Sequence, residues 1–296
     1  VIYGSADSGK GLLVGTIIYN TVTTHTTEEV QFYIMDFGSE TLKIFRNTPH
    51  VGDVIFINDS EKISRLFESI EQEIKNRKEI LSEYNGDYNL YKKINNNIMP
   101  TIIIIINNYG AFIENKYDEY DEKIQVITRE CVKYGIVFVI TATSHRDLRY
   151  KLIQNFKQKL VLQMNNDEDY LYIIDKVGKK RPSKSLGRGL VQMNNNEILE
   201  FQTAKICKDE NLNGYLKKIN EKLNAINRLK AKPISIMPEI VTLNDVKSKN
   251  TGIKAVPIGL LKKNLNVYTY DFQRKFINII TAKGNEKLIN FAVNIT

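Results

Sequence analysis

Val1-Ile-Tyr-Gly-Ser-Ala-Asp-Ser-Gly-Lys-Gly11 is the stretch of sequence that decides the fold. Its first three residues have the apolar character of a strand, and a helical pattern runs from Lys10 to Asn20. Between them, the spacing G-x-x-x-x-G-K fits a loop in which backbone N–H groups, the helix dipole and a lysine surround a phosphate group. We therefore predict a phosphate-binding loop made of Gly4, Ser5, Ala6, Asp7, Ser8, Gly9, Lys10 and Gly11.

Position 11 departs from this motif. Active loops of this kind have Ser or Thr after the lysine, because that hydroxyl binds Mg²⁺. Gly11 has no hydroxyl, and glycine is also a poor residue for the start of a helix. Asp7 adds a negative charge to the loop. We expect ATP to bind weakly and Mg²⁺ to be held poorly; a strand-to-helix turn that binds no ligand is the alternative.

A second strand carries two more departures. The run from Thr101 to Ile106 is apolar and β-branched, which is typical of a central parallel strand. In ATPases with such a loop, this strand ends in acidic residues that bind the metal and activate water. Here Asn107 and Asn108 follow the strand, and an amide carries no charge and accepts no proton at neutral pH. No catalytic residue of this set is intact, so hydrolysis is expected to be weak or absent, and enzymatic activity is left open.

The rest of the chain alternates apolar runs with segments of helical periodicity. This pattern favours an α/β fold with a central, mostly parallel sheet flanked by helices. The predicted elements are strands at 30–36, 54–57, 136–141 and 159–163, helices at 59–84, 121–134 and 209–230, and a closing hairpin over 189–201.

Composition excludes several classes of protein. The 296 residues are 42% hydrophobic and 26% charged, which argues against disorder, and two cysteines are too few for a disulfide scaffold. The net charge of +8 is spread too thinly for a dedicated nucleic-acid binder. No apolar run reaches the roughly 18 residues that a membrane span needs. Because His25, His50 and His145 lack ligand spacing, no metal site is expected.

The order and spacing of further segments resemble the FtsK/SpoIIIE-type ATPase domains of type VII secretion coupling proteins, the EssC/EccC family. The resemblance covers residues 1–206 and implies a P-loop NTPase fold of the RecA/FtsK-like kind. The segments that carry it are Asp36-Phe-Gly38, Thr48-Pro-His-Val-Gly-Asp-Val54, Glu73-Ile-Lys-Asn-Arg-Lys78, 100–108, Tyr134-Gly-Ile136, Thr141-Ala-Thr143, Asn155-Phe156, Leu160-Val-Leu-Gln163, Asp169-Tyr170 and Gly187-Arg-Gly-Leu190.

The sequence changes character near residue 207. We predict a degenerate ATPase domain over 1–207, an amphipathic helix and Pro-containing linker over 208–251, and the start of a second ATPase-like unit over 252–296. Within that unit, the resemblance implies that Lys287 is the remnant of a second degenerate loop. The resemblance implies that the two units are the second ATPase domain and the beginning of the third, and that the chain is part of a longer protein.

The resemblance also implies a setting and a function. It places the chain in the cytoplasmic portion of a membrane-anchored protein of a Gram-positive bacterium, acting in nucleotide binding, assembly or substrate recognition. Relatives have a γ-phosphate sensor at the position of Thr143 and Ser144, for which strand-end capping is the alternative. The implied partners are neighbouring ATPase domains of the same chain, further copies in a homo-hexamer, small helical WXG-type secreted proteins and other membrane components of the secretion system, without nucleic acid. A DNA-translocating motor domain and a structural module that binds no nucleotide are the alternative functions.

Overall fold

The computed structural model describes residues 1–95, 98–174, 177–208, 211–247, 256–262 and 265–270. The chain divides into two compact units, Val1–Ile234 and Ser235–Thr296. The first unit extends past residue 207 because the segment that follows packs on it, as shown below; the domain limits at 207 and 251 stay predictions. The predicted loop remnant at Lys287 lies outside the described residues.

The first unit contains an eight-stranded sheet in the order β3-β2-β4-β5-β1-β6-β7-β8. The six strands from β3 to β6 in this order are parallel, and β7 and β8 pair antiparallel at one edge. The predicted α/β class with a mostly parallel sheet is confirmed. The strands are β1 (Ile2–Tyr3), β2 (Val30–Asp36), β3 (Val51–Ile55), β4 (Thr101–Asn107), β5 (Ile136–Ala142), β6 (Leu160–Leu162), β7 (Arg188–Gln192) and β8 (Ile198–Gln202), with β9 (Val256–Leu260) and β10 (Val267–Tyr270) forming a hairpin in the second unit.

Helices connect the strands. They are α1 (Lys10–Thr24), α2 (Ser60–Ser82), α3 (Tyr88–Asn95), α4 (Tyr109–Phe112), α5 (Glu119–Glu130), α6 (Tyr150–Ile153), α7 (Asp167–Ile173), α8 (Leu212–Ile226) and α9 (Leu243–Lys247), with 3₁₀ turns at Thr41–Phe45, Cys131–Tyr134 and His145–Asp147 and a π turn at Ile113–Tyr117. The predicted helix 121–134 begins earlier and tightens into a 3₁₀ turn, because Gly135 in the left-handed region (φ 67°) ends it. The predicted strand 54–57 begins at Val51 and ends at Ile55.

The sheet is buried on both faces, which explains the uninterrupted isoleucine run of β4. Along β4, Ile104 and Ile106 belong to one apolar cluster and Ile105 to the other. The first cluster takes side chains from α2 and α5, and the second takes side chains from α1 and α8. The amphipathic helix α8 therefore covers the first unit with Leu216 and Leu223.

Arg77 on α2 fixes the amino ends of two central strands. Its side chain is 2% exposed and forms an ion pair with Glu73, with 2.7 Å between Arg77 Nε and Glu73 Oε1. The guanidinium also donates to the backbone carbonyls of Tyr134 (2.7 Å), Gly135 (3.3 Å) and Pro100 (2.8 Å). These carbonyls directly precede β5 and β4, so a single buried charge joins the helix to both strands.

The buried side chain of His50 is expected to make the stability of the fold depend on pH. Its fully buried ring donates from Nε2 to the His25 carbonyl at 2.8 Å, and Nδ1 has no partner within the described residues. Burial lowers the pKa of His50 below its usual value of about 6.5. Because the unfolded chain then binds the proton more readily, we expect the free energy of unfolding to fall as pH drops below about 6.5, by at most about 1.4 kcal/mol per pH unit.

Urea denaturation between pH 7.5 and 5 measures this slope. His50→Gln is expected to flatten it, whereas His25→Gln, at an exposed position, is expected to retain it. An unchanged slope in His50→Gln would assign the pH dependence to other groups.

Candidate nucleotide-binding site

The predicted phosphate-binding loop connects β1 to α1 and is closed by its own lysine. Lys10 Nζ donates to the carbonyls of Gly4 (2.5 Å) and Ser5 (2.8 Å), so the ammonium lies inside the loop. Gly9 and Asp7 adopt left-handed backbone conformations, with φ of 100° and 56°. With two of its three N–H groups used in this way, the ammonium keeps one for a ligand.

The polar groups of the loop fit a phosphate. Ser8 is 3% exposed, and its hydroxyl has no hydrogen-bond partner in the described part of the chain. A buried polar atom without a partner lowers the stability of the fold. An oxygen of a bound phosphate would accept a hydrogen bond from the Ser8 hydroxyl. Burial lowers the pKa of Lys10, and the carboxylates of Asp147 and Asp7 oppose this shift. The loop thus combines a half-buried cation with a hydroxyl donor that has no partner among the described residues.

The turn before β7 supports this loop from outside. Gly187 N donates to the Ser8 carbonyl at 2.9 Å, and Thr203 Oγ1 donates to the Gly187 carbonyl at 2.8 Å. A Cβ at Gly9 would lie 2.6 Å from Gly187 N and 2.8 Å from Gly187 Cα. The two backbones can approach this closely only because position 9 carries no side chain. The residues around the motif gave no sign of this contact, because it joins distant segments.

Gly11, in the first turn of α1, lies close to the 3₁₀ turn Thr41–Phe45. A Cβ at position 11 would lie 3.1 Å from Thr41 Oγ1, in the 3₁₀ turn that follows β2. The structure therefore has a threonine hydroxyl near the motif position that lacks one. Sequence reasoning did not find Thr41, since nothing local relates it to the loop.

Asn107 and Asn108 lie at the carboxyl end of β4, and β5 separates this strand from β1. Asn107 Nδ2 donates to Asp36 Oδ1 at 2.7 Å, and Asn107 Oδ1 accepts from Thr141 Oγ1 at 2.7 Å. Thr141 Oγ1 in turn accepts from Asn108 N at 2.8 Å. Both polar atoms of the Asn107 side chain are therefore occupied within the protein.

Asp36 is a carboxylate beside the predicted acidic position. It ends β2 opposite Asn107 in the strand register, and it is 1% exposed. Its oxygens also accept from Leu42 N (3.0 Å) and Gly38 N (3.4 Å). Asp36 belongs to a segment that carries the family resemblance, but the sequence pattern does not assign it to the site. The available signal was an acidic residue at the end of a strand next to β4.

Thr143 and Ser144 follow β5 and are engaged locally. Thr143 donates to Asp147 Oδ2 from its backbone N and from Oγ1, both at 2.7 Å, and Ser144 Oγ donates to Asp169 Oδ1 at 3.2 Å. A Cβ at Gly110 would lie 3.2 Å from Asp147 Oδ2, so this carboxylate stands beside the end of β4. Asp147 is a second acidic residue that sequence reasoning missed. A sensor role for Thr143 and Ser144 stays a prediction.

The described ranges of the chain contain no cluster of His, Cys, Asp or Glu suited to holding a metal ion. Within those same ranges, none of the helices combines the length and apolar character that crossing a bilayer requires.

Comparison with known proteins identifies the family. The sequence profile of the FtsK/SpoIIIE family matches residues 1–196. The chain belongs to the FtsK/SpoIIIE family. This FtsK/SpoIIIE chain is 23% identical over 293 residues to the type VII secretion system protein EssC of Staphylococcus aureus (strain MRSA252), covering 95% of the chain and 19% of EssC. The chain thus spans about a fifth of the length of that curated relative.

Solved structures share the fold of this FtsK/SpoIIIE chain. EssC from Geobacillus thermodenitrificans, in a structure of its ATPases 2 and 3, superposes with a TM-score of 0.89 at 21% identity, covering 99% of the chain and 57% of that structure. Thermomonospora curvata EccC (ATPases 2 and 3) in complex with a signal sequence peptide gives a TM-score of 0.71 at 21% identity, covering 92% of the chain and 50% of that structure. The predicted P-loop ATPase fold is confirmed.

Proposed function

We propose that this chain is an ATPase-like part of a type VII protein-secretion coupling protein, and that its first unit binds ATP without hydrolysing it efficiently. The observation that carries the proposal is the contrast between the two halves of the site. The loop keeps the Lys10 ammonium inside, and the Ser8 hydroxyl has no hydrogen-bond partner in the part of the chain that the structure describes. The β4 end has amides in place of acids, and both polar atoms of the Asn107 side chain are occupied by Asp36 and Thr141.

Turnover requires a base that takes a proton from the attacking water. General-base assistance contributes about 10²–10⁴ in rate, and neither asparagine side chain supplies it. Asp36 receives hydrogen bonds from Gly38, Leu42 and Asn107, so it ties strand ends together. The arrangement therefore supports nucleotide binding as a structural or regulatory signal.

The setting is proposed from the relatives. Similarity to EssC over nearly the whole chain supports the second ATPase domain followed by the start of the third, in the cytoplasmic portion of a membrane-anchored protein of a Gram-positive bacterium. The proposed partners are neighbouring ATPase domains, further copies in a homo-hexamer, WXG-type secreted proteins and other membrane components of the secretion system. The signal sequence peptide bound to the related EccC supports a role in substrate recognition.

Titration with a fluorescent ATP analogue, combined with a phosphate-release assay, tests this function. We expect saturable binding together with phosphate release at background. Lys10→Ala is expected to raise Kd about 10- to 100-fold, because a hydrogen bond to a charged group contributes about 1.5–3 kcal/mol. Lys78→Ala, a lysine removed from exposed α2 surface, serves as the control and should bind like the wild type.

Two results would contradict the proposal. A wild type that binds no nucleotide would support a purely structural module. Phosphate release of several turnovers per second that is lost in Lys10→Ala, or that is stimulated by DNA, would support a working motor.

A further inference from the structure

Thr41 stands next to the position where the phosphate-binding motif lacks its hydroxyl. Built on the backbone of Gly11, a Cβ has Thr41 Oγ1 (3.1 Å) and Thr41 Cβ (3.9 Å) as its near neighbours outside α1 and the adjoining loop. Ser or Thr at position 11 would direct its own hydroxyl into this region. The space that the motif hydroxyl normally uses is therefore beside the hydroxyl of another residue.

Gly11 allows this approach. The 3₁₀ turn Thr41–Phe45 runs along α1, and a Cβ built on Gly15 would lie 3.7 Å from the Phe45 ring. Positions 11 and 15 are one helical turn apart and share a face of α1. Two glycines on this face thus give the helix a smooth surface on which the turn rests. A residue with a Cβ at position 11 would require Thr41 to shift by a few tenths of an ångström.

The turn itself is firmly held. Leu42 and Phe45 are each 1% exposed, and Leu42 N donates to Asp36 Oδ2 at 3.0 Å. Glu40 adopts a left-handed conformation (φ 52°) immediately before Thr41, which is uncommon for a residue other than glycine. This backbone is maintained by the packing that follows it, so the location of Thr41 is set by the buried part of the turn.

The hydroxyl of Thr41 is available. Thr41 is exposed, and no hydrogen bond of its side chain occurs within the described part of the chain. Asp36, at the end of β2, accepts from Leu42 N of this turn and from Asn107 Nδ2 at the end of β4. The turn therefore brings the Thr41 hydroxyl to the Gly11 position, and the buried carboxylate of Asp36 joins the turn to the Asn107 position.

We propose that Thr41 replaces the missing hydroxyl of position 11 and binds the divalent cation of a magnesium nucleotide, with Asp36 holding the turn that carries it. The proposal rests on the nucleotide binding proposed above. It reverses the expectation that Mg²⁺ is held poorly, which considered the motif positions alone. Hydroxyl oxygen is a suitable ligand for a cation that otherwise keeps phosphate and water oxygens around it.

Titration of a fluorescent ATP analogue in Mg²⁺ and in EDTA measures the contribution of the cation. We expect Mg²⁺ to lower the Kd of the wild type about 10-fold, which corresponds to the free energy that a contact between a charged and a polar group contributes. Thr41→Ala should remove this enhancement while leaving Kd in EDTA unchanged, and Thr41→Ser should keep it. Thr23→Ala, which removes a hydroxyl bound to the backbone of α1, is the matched control.

A rescue variant separates loss of a ligand from loss of structure. In Gly11→Ser combined with Thr41→Ala, the hydroxyl returns to the motif position and the space beside it is free. We expect this double variant to recover the Mg²⁺ enhancement that Thr41→Ala loses.

The outcomes distinguish the two proposals. An enhancement that persists in Thr41→Ala, or that the double variant fails to recover, overturns the assignment of Thr41. If binding still depends on Lys10 in that case, the proposed nucleotide binding stands. A wild type that binds neither the free nor the magnesium form of the nucleotide overturns both.

Discussion

Arg77→Met is expected to destabilise the Val1–Ile234 unit by about 3–5 kcal/mol, because a hydrogen bond to a charged group contributes about 1.5–3 kcal/mol and several are lost together. The methionine fills much of the volume but donates nothing to the carbonyls of Pro100, Tyr134 and Gly135, which the arginine now binds. Those carbonyls lie beside the starts of β4 and β5, so the loss affects two central strands together. Urea denaturation of the full chain, followed by far-ultraviolet circular dichroism, measures the effect.

Two further variants separate the contributions of Arg77. Glu73→Gln leaves the buried Arg77 without its counter-charge but keeps a side-chain oxygen that accepts from Nε at a 37% exposed position, so we expect a smaller cost, about 1–2 kcal/mol. Arg77→Lys keeps the charge but loses the planar fork, so its cost should fall between the other two. A loss of less than about 1 kcal/mol in Arg77→Met would mean that packing around the methionine replaces the carbonyl contacts.

Gly9→Ala is expected to abolish nucleotide binding. An alanine at this position requires both a left-handed backbone (φ 100°) and a Cβ within 2.6 Å of Gly187 N. The atoms that this Cβ meets, Gly187 N and Gly187 Cα, belong to the backbone and cannot move aside as a flexible side chain would. Either the loop or the turn before β7 must therefore move. Movement of the loop breaks the alignment of Lys10 with the Gly4 and Ser5 carbonyls. Titration with the fluorescent ATP analogue should show no saturation at concentrations that saturate the wild type.

Gly86→Ala is the matched control for this substitution. Gly86 also has a positive φ (69°), but a Cβ there meets nothing within 4 Å. Gly86→Ala therefore has the strain of a left-handed alanine backbone, about 1 kcal/mol, but its Cβ does not clash with a neighbouring backbone. Its nucleotide affinity should equal that of the wild type. Wild-type affinity in Gly9→Ala would show that the close approach of the two backbones is dispensable for binding.

The sequence predicted the parts of the fold that depend on local pattern. The isoleucines from Ile102 to Ile106 predict a central strand because both faces of β4 are buried, and the glycine-lysine spacing predicts the loop because its geometry is contained within Gly4 to Gly11. Short helices such as α3 and α7 were missed. Their polar residues give little periodic signal over seven or eight positions.

The site could be predicted only where its residues belong to one segment. Asp36, Thr41, Asp147 and Gly187 reach it through the packing of strands that are distant in sequence. The residue types of Thr41, Asp147 and Gly187 are common in turns, and nothing nearby distinguishes them from solvent-exposed residues, whereas Asp36 offers one signal, its place at the end of a strand. From the sequence, Gly11 means only that the motif hydroxyl is missing. In the structure, the absence of a side chain at Gly11 also allows Thr41 to pack against α1.

The position of β1 in the middle of the sheet has a consequence for how the chain acquires its binding loop. Ile2 pairs with Thr141 on one side and Leu160 on the other, and Ser8 accepts a hydrogen bond from Gly187. Pairings between residues that are distant in sequence form late in folding, because the chain loses the entropy of closing the loop between them before it gains the contacts. During synthesis the loop must therefore wait for β5, β6 and the turn before β7, and a nascent chain that ends before these elements has the motif without its supporting contacts.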